Sequence, residues 1–208
     1  GNNGIYIVRL KSKQTAEEFN LVQDKTNPSI DSELERMSLL IQDLLSLSRI
    51  ERTEYNPPTK KINITNIFNE VKDTFHSKKN QKIKIDFKSP KKEIFLAADP
   101  LELKQVFINL VQNSLSHSFS KKPILVTLSN KKDSIDFSVR DFGIGIAQED
   151  IPLLTKRFYR VDSARSRESG NTGLGLSIVK HIINRHQGEL IIESELDLGS
   201  QFTASLKK

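Results

Sequence analysis

The 208-residue chain contains no cysteine, which excludes a disulfide framework, a zinc knuckle and thiol catalysis. Histidine is scarce: only His76, His117, His181 and His186 occur, and no two form a metal-ligand pair with a nearby carboxylate in a recognisable pattern. No apolar run approaches the roughly 20 residues that span a bilayer, and the N-terminus lacks the apolar centre of a signal peptide. These absences predict a soluble, cytosolic chain. What is present is 36% hydrophobic and 28% charged. A chain of this length can bury one sizeable core, with residues left over for an appendage.

The net charge is +6, and it is concentrated. Between Lys72 and Lys92 there are eight lysines against Asp73 and Asp86, a local excess that equals the whole imbalance. Lys82, Lys84 and Lys88 alternate with Ile83, Ile85 and Phe87, the period of a strand with one wet face. A nucleic-acid surface is one reading of this stretch. The preferred one is an outer strand whose lysines resist edge pairing, because no aromatics are interleaved on the lysine side.

Residues 1–27 carry little pattern; Gly1-Asn2-Asn3-Gly4 reads as a tag remnant or a flexible end, and Ile5, Val8 and Leu10 as the tail of a helix. From Asn27-Pro28 the pattern sharpens. Leu34, Met37, Ile41, Leu44 and Ser48 follow steps of three and four with Leu40 and Leu47 beside them, an apolar stripe on a helix running to about Tyr55. The stripe is too broad to face one neighbour, so a bundle is the natural partner, made within one chain or by two. Asn56-Pro57-Pro58 ends this helix. The domain boundary is placed there, giving an unassigned segment over 1–27, a helical arm and linker over 28–58 and a second domain over 59–208.

Beyond the linker, helices are expected over Ile64 to Phe75, from Asp99 with Leu103, Val106, Leu110 and Ser114 on its buried face, and over Leu174 to about His186. Strands are expected over Lys82 to Phe87, Ile94 to Ala97, Ile124 to Leu128, Ile135 to Val139, Leu190 to Glu193 and Phe202 to Leu206. Asp99-Pro100 with Glu102 reads as a capped helix start of the capping-box kind. Hairpin-paired strands with helices on one side make an α+β two-layer sandwich rather than a doubly wound sheet.

Four features carry chemistry. Asp141-Phe142-Gly143-Ile144-Gly145-Ile146 follows a strand: its glycines let a flat ligand approach, and its aspartate can accept from an exocyclic amine. Gly170 to Leu176 leads into a helix whose free N–H groups and dipole suit phosphate oxygens; no lysine follows the last glycine, so it is not a Walker A loop. Asn109 and Asn113 stack one turn apart, presenting hard amide oxygens suited to Mg²⁺. Phe158 to Ser169, poor in apolar residues after Tyr159 and bearing Arg160, Arg165 and Arg167, reads as a mobile lid over an anion. Taken singly, each is also readable as an ordinary turn, a glycine-rich loop or a solvated face.

Taken in order, they resemble the ATP-binding catalytic domain of bacterial sensor histidine kinases, within the wider gyrase/Hsp90/histidine-kinase/MutL ATPase class. Gln105 to Ser114 resembles the N box of that family, Asp141 to Ile146 its G1 box, Arg157 to Arg160 its F box, Gly173 to Leu176 its G2 box and Gly199 to Thr203 its last glycine box. Leu44 to Glu51 resembles the end of the second helix of its dimerisation domain. The resemblance covers roughly Ser29 to Leu206 and implies a Bergerat-type sandwich behind a helical arm.

It implies residue roles as well. Asp141 would read the adenine amine while Gly143 and Gly145 leave room for the base beside Ile146. Asn109 and Asn113 would hold Mg²⁺ against the ATP phosphates. Thr172, Gly173, Leu174, Gly175 and Leu176 would cradle those phosphates. His117 would stack on the base, and Tyr159, Arg160 and Thr203 would complete the site. The implied partners are a phosphoacceptor helix of the same or a sister chain, a response-regulator receiver domain and a second copy in a homodimer, with no nucleic acid. The implied location is cytoplasmic, with an inner-membrane anchor in the full-length protein left open.

Three departures qualify the resemblance. Ser116 stands where the family usually has lysine, and Asn171 where it usually has glycine. No histidine lies in a phosphoacceptor box, which by the family layout would fall at or before Gly1. Self-phosphorylation is therefore not expected. The alternative is a degenerate, ATP-free interaction module, favoured by Ser116 and Asn171 and opposed by the intact Asp141, Asn113 and Gly173-Leu174-Gly175-Leu176. A serine-directed kinase of the anti-sigma type is disfavoured by the helical arm.

Overall fold

The computed structural model describes residues 30–52, 57–76, 83–118, 121–161 and 172–208. Several expectations fall on other residues: the reading of 1–27, the end of the first helix at Tyr55, the boundary residue Asn56, Lys82, the lid arginines Arg165 and Arg167, and Asn171. The chain divides into two units, 1–39 and 40–208, so the division runs through the first helix, α1 (Ile30–Arg52). In the second unit Leu47 is 4% exposed within the core and Leu40 packs against it, whereas Ile41, Leu44 and Leu45 are exposed. The residues of α1 buried there are thus those beside the expected stripe. Leu34 and Met37 of the stripe, in the first unit, are also exposed.

The second unit continues with β1 (Lys61–Asn63), α2 (Ile64–His76), β2 (Ile85–Lys88), β3 (Phe95–Ala97), α3 (Pro100–His117), β4 (Ile124–Asn130), β5 (Ser134–Arg140), a 3-10 turn (Ile151–Leu153), α4 (Gly175–Arg185), β6 (Glu189–Glu195) and β7 (Gly199–Lys207). β1 pairs antiparallel with β3, and a five-stranded sheet runs in the order β2-β4-β5-β7-β6. Hairpins join β4 to β5 and β6 to β7, as expected. Two arrangements differ from a simple succession of hairpins. β2 lies parallel to β4, because α3 carries the chain back between them. The last strand, β7, sits between β5 and β6.

Helices α2, α3 and α4 form the second layer. Phe68, Val71 and Phe75 of α2, Leu103, Val106, Phe107, Leu110 and Val111 of α3, and Ile178, Val179, Ile182 and Ile183 of α4 share one core with Val126, Phe137, Val139, Phe202 and Ala204 of the sheet. At its centre the Phe107 and Phe137 rings stack at 3.9 Å, and Phe68 meets Phe137 edge-on at 6.1 Å. Rings of this kind add about 0.5–1.5 kcal/mol per pair beyond the area they bury. β2 is an edge strand with Lys84 and Lys88 exposed, Ile85 buried and Phe87 against Phe68 at 5.6 Å. That is the placement expected of a lysine-coated outer strand.

The start of α3 combines a local signal with a distant one. The Asp99 carboxylate accepts from the N–H groups of Leu101 and Glu102, at 2.9 and 3.0 Å. The reciprocal half of a capping box is absent. Glu102 instead pairs with Arg185 at the end of α4, and the Asp99 N–H donates to His186 Nε2 at 3.1 Å. The other imidazole nitrogen, Nδ1, bonds the Ile182 carbonyl at 2.8 Å, leaving the ring neutral, with the Glu102 carboxylate 3.8 Å away.

Burial pushes the His186 pKa below its ordinary value and the charge of Arg185 adds to this, against the Ile182 carbonyl and Asp99, which pull it up. A depressed histidine binds fewer protons folded than unfolded, so its contribution is complete above the ordinary histidine pKa of about 6.5 and is lost as pH falls below it. His186→Ala is expected to cost about 1–3 kcal/mol, because the Asp99 donor loses its acceptor. It should also flatten the acid limb of a urea-stability profile between pH 7 and 5. A variant as stable as the parent at pH 7 would contradict this.

Candidate functional site

Asp141 follows β5 and remains on the sheet ladder, its N–H donating to the Ser200 carbonyl at 2.9 Å. The residue is 3% exposed. Its Oδ1 accepts from the N–H groups of Gly143 (2.9 Å) and Ser200 (3.2 Å), and its Oδ2 from the Ser114 hydroxyl (3.4 Å). Burial pushes this carboxyl above the usual carboxylate range, while those three donors and the charge of Arg140 draw it back. Next to it, the Phe142 ring lies under Lys122 and Arg140, at 5.1 and 5.7 Å.

The glycines of this loop are closely packed against backbone from elsewhere in the fold. A Cβ on Gly143 would lie 2.2 Å from the His117 carbonyl oxygen, and one on Gly145 would lie 2.0 Å from that of Glu195. The space their missing side chains would need is therefore filled by the protein's own backbone, from α3 and from the β6–β7 turn. Gly145 also has φ +70, the left-handed region that favours glycine. The loop is fastened there by Asp197 N–H to the Ile144 carbonyl (2.8 Å) and by Ile146 N–H to Ser194 Oγ (2.8 Å). The Ile146 side chain packs against the core.

The second glycine loop leads into α4. Gly173 (φ +75) lies against Phe158, whose N–H donates to the Gly173 carbonyl at 3.0 Å. Leu174 is fully buried and Leu176 packs on the core, so what Leu174 can offer a ligand is its backbone. Its N–H currently donates to Thr172 Oγ1 at 3.2 Å. Gly175 is the open position: a Cβ there would meet only the Asn109 amide, at 3.9 Å. Asn109 Nδ2 donates to the Gly175 carbonyl at 3.3 Å, which ties α3 to the start of α4 and leaves Oδ1 as its acceptor. Asn113, half-buried, lies one turn further along α3.

His117 ends α3 beside the aspartate. Burial pushes its imidazole below the ordinary value and the Arg160 charge acts in the same direction, while Asp141 draws it up. The structure thus brings Asn109, Asn113, His117, Asp141, Gly143, Thr172, Gly173, Leu174 and Gly175 to the same end of the helix layer and sheet. Tyr159 is placed otherwise, its hydroxyl donating to Asp150 Oδ1 at 2.6 Å. Thr203 does not join Asp141. Strand alternation puts it on the face of β7 opposite Phe202 and Ala204, next to Ser138 and Ile191 on the neighbouring strands.

The β7 residue at the aspartate is Ser200, held in place because Gly199 (φ +91) lets the chain pass 2.3 Å, measured from a would-be Cβ, from the Asp141 carbonyl. Ser194 Oγ bonds Ser200 Oγ at 2.8 Å. Ser114, Ser194 and Ser200 are site residues that sequence reading missed, although Ser114 and Ser200 lie inside the motifs. Gly143→Ala is expected to displace the loop from α3 and destabilise the fold by about 1–3 kcal/mol, the usual penalty for overpacking. Thermal melts and ¹H–¹⁵N shifts at Asp141 and His117 would register it; an unshifted spectrum at parental stability would refute the contact.

Over residues 98–208 the chain matches the family described as histidine kinase-, DNA gyrase B- and HSP90-like ATPases. It is 34% identical over 171 residues to the phosphate regulon sensor protein PhoR of Pseudomonas aeruginosa, covering 81% of this chain and 38% of that protein. It is 32% identical over 177 residues to the sensor histidine kinase WalK of Bacillus subtilis, covering 84% of this chain and 29% of that one. The chain therefore spans less than half the length of these relatives. Among solved structures, the catalytic domain of histidine kinase ThkA superposes with a TM-score of 0.62 at 27% identity, over 72% of this chain and 95% of that one. A mycobacterial sensor histidine kinase, MprB, shares the fold with a TM-score of 0.61 at 19% identity, over 72% and 97%. The match takes in α3, α4 and the strands β4 to β7 around Asp141, and the chain belongs to the histidine kinase-, DNA gyrase B- and HSP90-like ATPase family.

Proposed function

We propose that this chain is the ATP-binding catalytic portion of a two-component sensor histidine kinase. It would bind Mg-ATP and present the γ-phosphate to a histidine carried on a phosphoacceptor helix. The observation that carries the reading is the Asp141 carboxylate, buried yet supplied with two backbone N–H donors and a hydroxyl. An acceptor held so firmly suits the 6-amino group of adenine. The phosphates would lie toward Gly173, Leu174 and Gly175, where the start of α4 offers N–H groups and a favourable dipole. A neutral His117 fits beside an uncharged base.

Among the described residues no group of three His, Cys, Asp or Glu could hold a metal ion. This fits Mg²⁺ shared mainly with phosphates and water. The amide oxygens of Asn109 and Asn113 would hold the ion, which when bound supplies charge neutralisation for phosphoryl transfer. For the rest, the protein's part is positioning: the acceptor imidazole nitrogen forms its bond to the γ-phosphorus as the bond to the β–γ bridging oxygen breaks and ADP leaves. A receiver-domain aspartate would then take the phosphoryl group. The arm over 28–58, with Leu34, Met37, Ile41 and Leu44 exposed, would pair with a second copy in a homodimer. This work would take place in the cytoplasm.

Calorimetry with ATP, with and without Mg²⁺, tests the reading. Binding should strengthen with Mg²⁺ and fall at least a hundredfold in Asp141→Asn, because a bidentate acceptor then becomes a partial donor. The chain alone should yield no stable phosphohistidine, and phosphate should appear on an added phosphoacceptor helix. Failure to bind millimolar ATP would leave a non-catalytic interaction module on the same fold.

A further inference from the structure

One contact of the glycine loop is not used by this function. Thr172 Oγ1 donates to Asp43 Oδ2 of α1 at 2.6 Å, and the same oxygen accepts the Leu174 N–H at 3.2 Å. A carboxylate is therefore fixed one hydroxyl away from the amide that begins the phosphate loop. Asp43 is itself partly buried, and Leu47, one turn along α1, is seated in the core. No Lys or Arg among the described residues pairs with Asp43. Burial pushes its carboxyl above the ordinary range despite the bond from Thr172.

The consequence is electrostatic. While Thr172 gives its proton to Asp43 and its lone pair to Leu174, neither the hydroxyl nor that N–H is available to a phosphate oxygen. A polyphosphate that binds there competes for both, and it then faces a half-buried carboxylate that no Lys or Arg among the described residues pairs with. We propose that Asp43 sets the affinity of the nucleotide site and makes it discriminate by phosphate charge, so that nucleotide and the seating of α1 on the loop exclude one another. The inference rests on the reading of this site as an ATP site. By linkage the exclusion is mutual: whatever factor α1 imposes on ATP binding, ATP imposes on the seating of α1.

Asp43→Asn isolates the charge, since an asparagine oxygen can still accept from Thr172. Calorimetry should show Mg-ATP binding about tenfold tighter in Asp43→Asn, the effect of removing one partly screened charge near the phosphates. Mg-ADP should gain less, and adenosine, which has no phosphate, should bind both proteins equally. Asp43→Ala should reproduce the gain and also free the Leu174 amide to exchange faster with solvent when no nucleotide is present. Unchanged or weaker Mg-ATP binding in Asp43→Asn would overturn the proposal while leaving the ATP site intact. An equal gain for adenosine would overturn it too, because charge would not be the cause. Binding of no nucleotide by any of the three proteins would overturn this proposal and the nucleotide reading together.

Discussion

A carboxylate removed from water must be surrounded by donors or give up its charge, and the donors of Asp141 come from three different parts of the chain. Ser114 belongs to α3, Gly143 to the loop after β5, and Ser200 to β7. Gly143 is a local donor two residues on, but Ser114 and Ser200 can reach the aspartate only when the helix layer is seated on the sheet and β7 is paired with β5. The site is therefore a product of the tertiary fold. The same condition explains why the neighbouring glycines are tight. Gly143 and Gly199 bring backbone to within van der Waals reach of the aspartate and its surroundings, and that closeness turns N–H groups into ligands for its oxygens.

The core supplies the rigidity on which this depends. Phe137 is held on β5, three residues from the strand's end, by Phe107 on one side and Phe68 on the other. Phe107 lies two residues before Asn109 and Phe137 four before Asp141, so one stacked pair fixes the spacing between the helix that bears the asparagines and the strand that delivers the aspartate. The far end of the helix layer is held by a polar cluster of Asp99, Glu102, Arg185 and His186. A layer pinned at both ends and stacked in the middle leaves little freedom for the cleft walls. Just before α4, Thr172 and Gly173 are fastened by two hydroxyl bonds and by Phe158.

Most of the element order was legible because helix and strand periods are local properties of the chain. The Asp99 cap and the alternation of Ile135, Phe137 and Val139 needed no knowledge of anything distant. What could not be read depended on partners far along the sequence. Glu102 sits at capping-box spacing, but Arg185 takes its carboxylate. Gly143 and Gly145 stand out locally as turn residues, but their close contacts with the His117 and Glu195 carbonyls are visible only in the fold. Thr203 was preferred to Ser200 within one motif; the register of β7 against β5 decides between them, and nothing local encodes that register. The bond between Asp43 and Thr172 joins residues 129 apart and leaves no trace in either segment.

The position of β7 bears on how the molecule can be made. It is the last strand of the domain in chain order, yet it lies inside the sheet, paired along its length with β5 and with β6. As the chain leaves the ribosome, β4 and β5 can form their hairpin early, but β5 presents an open edge until β7 arrives to fill it. β6 has no partner at all before then. Closure of the sheet, and with it the ligation of Asp141 by Ser200, must wait for nearly the whole domain to be synthesised. From the emergence of β5 to that of β7 the inner edge of β5 stays unguarded, and the cleft around Asp141 is among the last features of the domain to form.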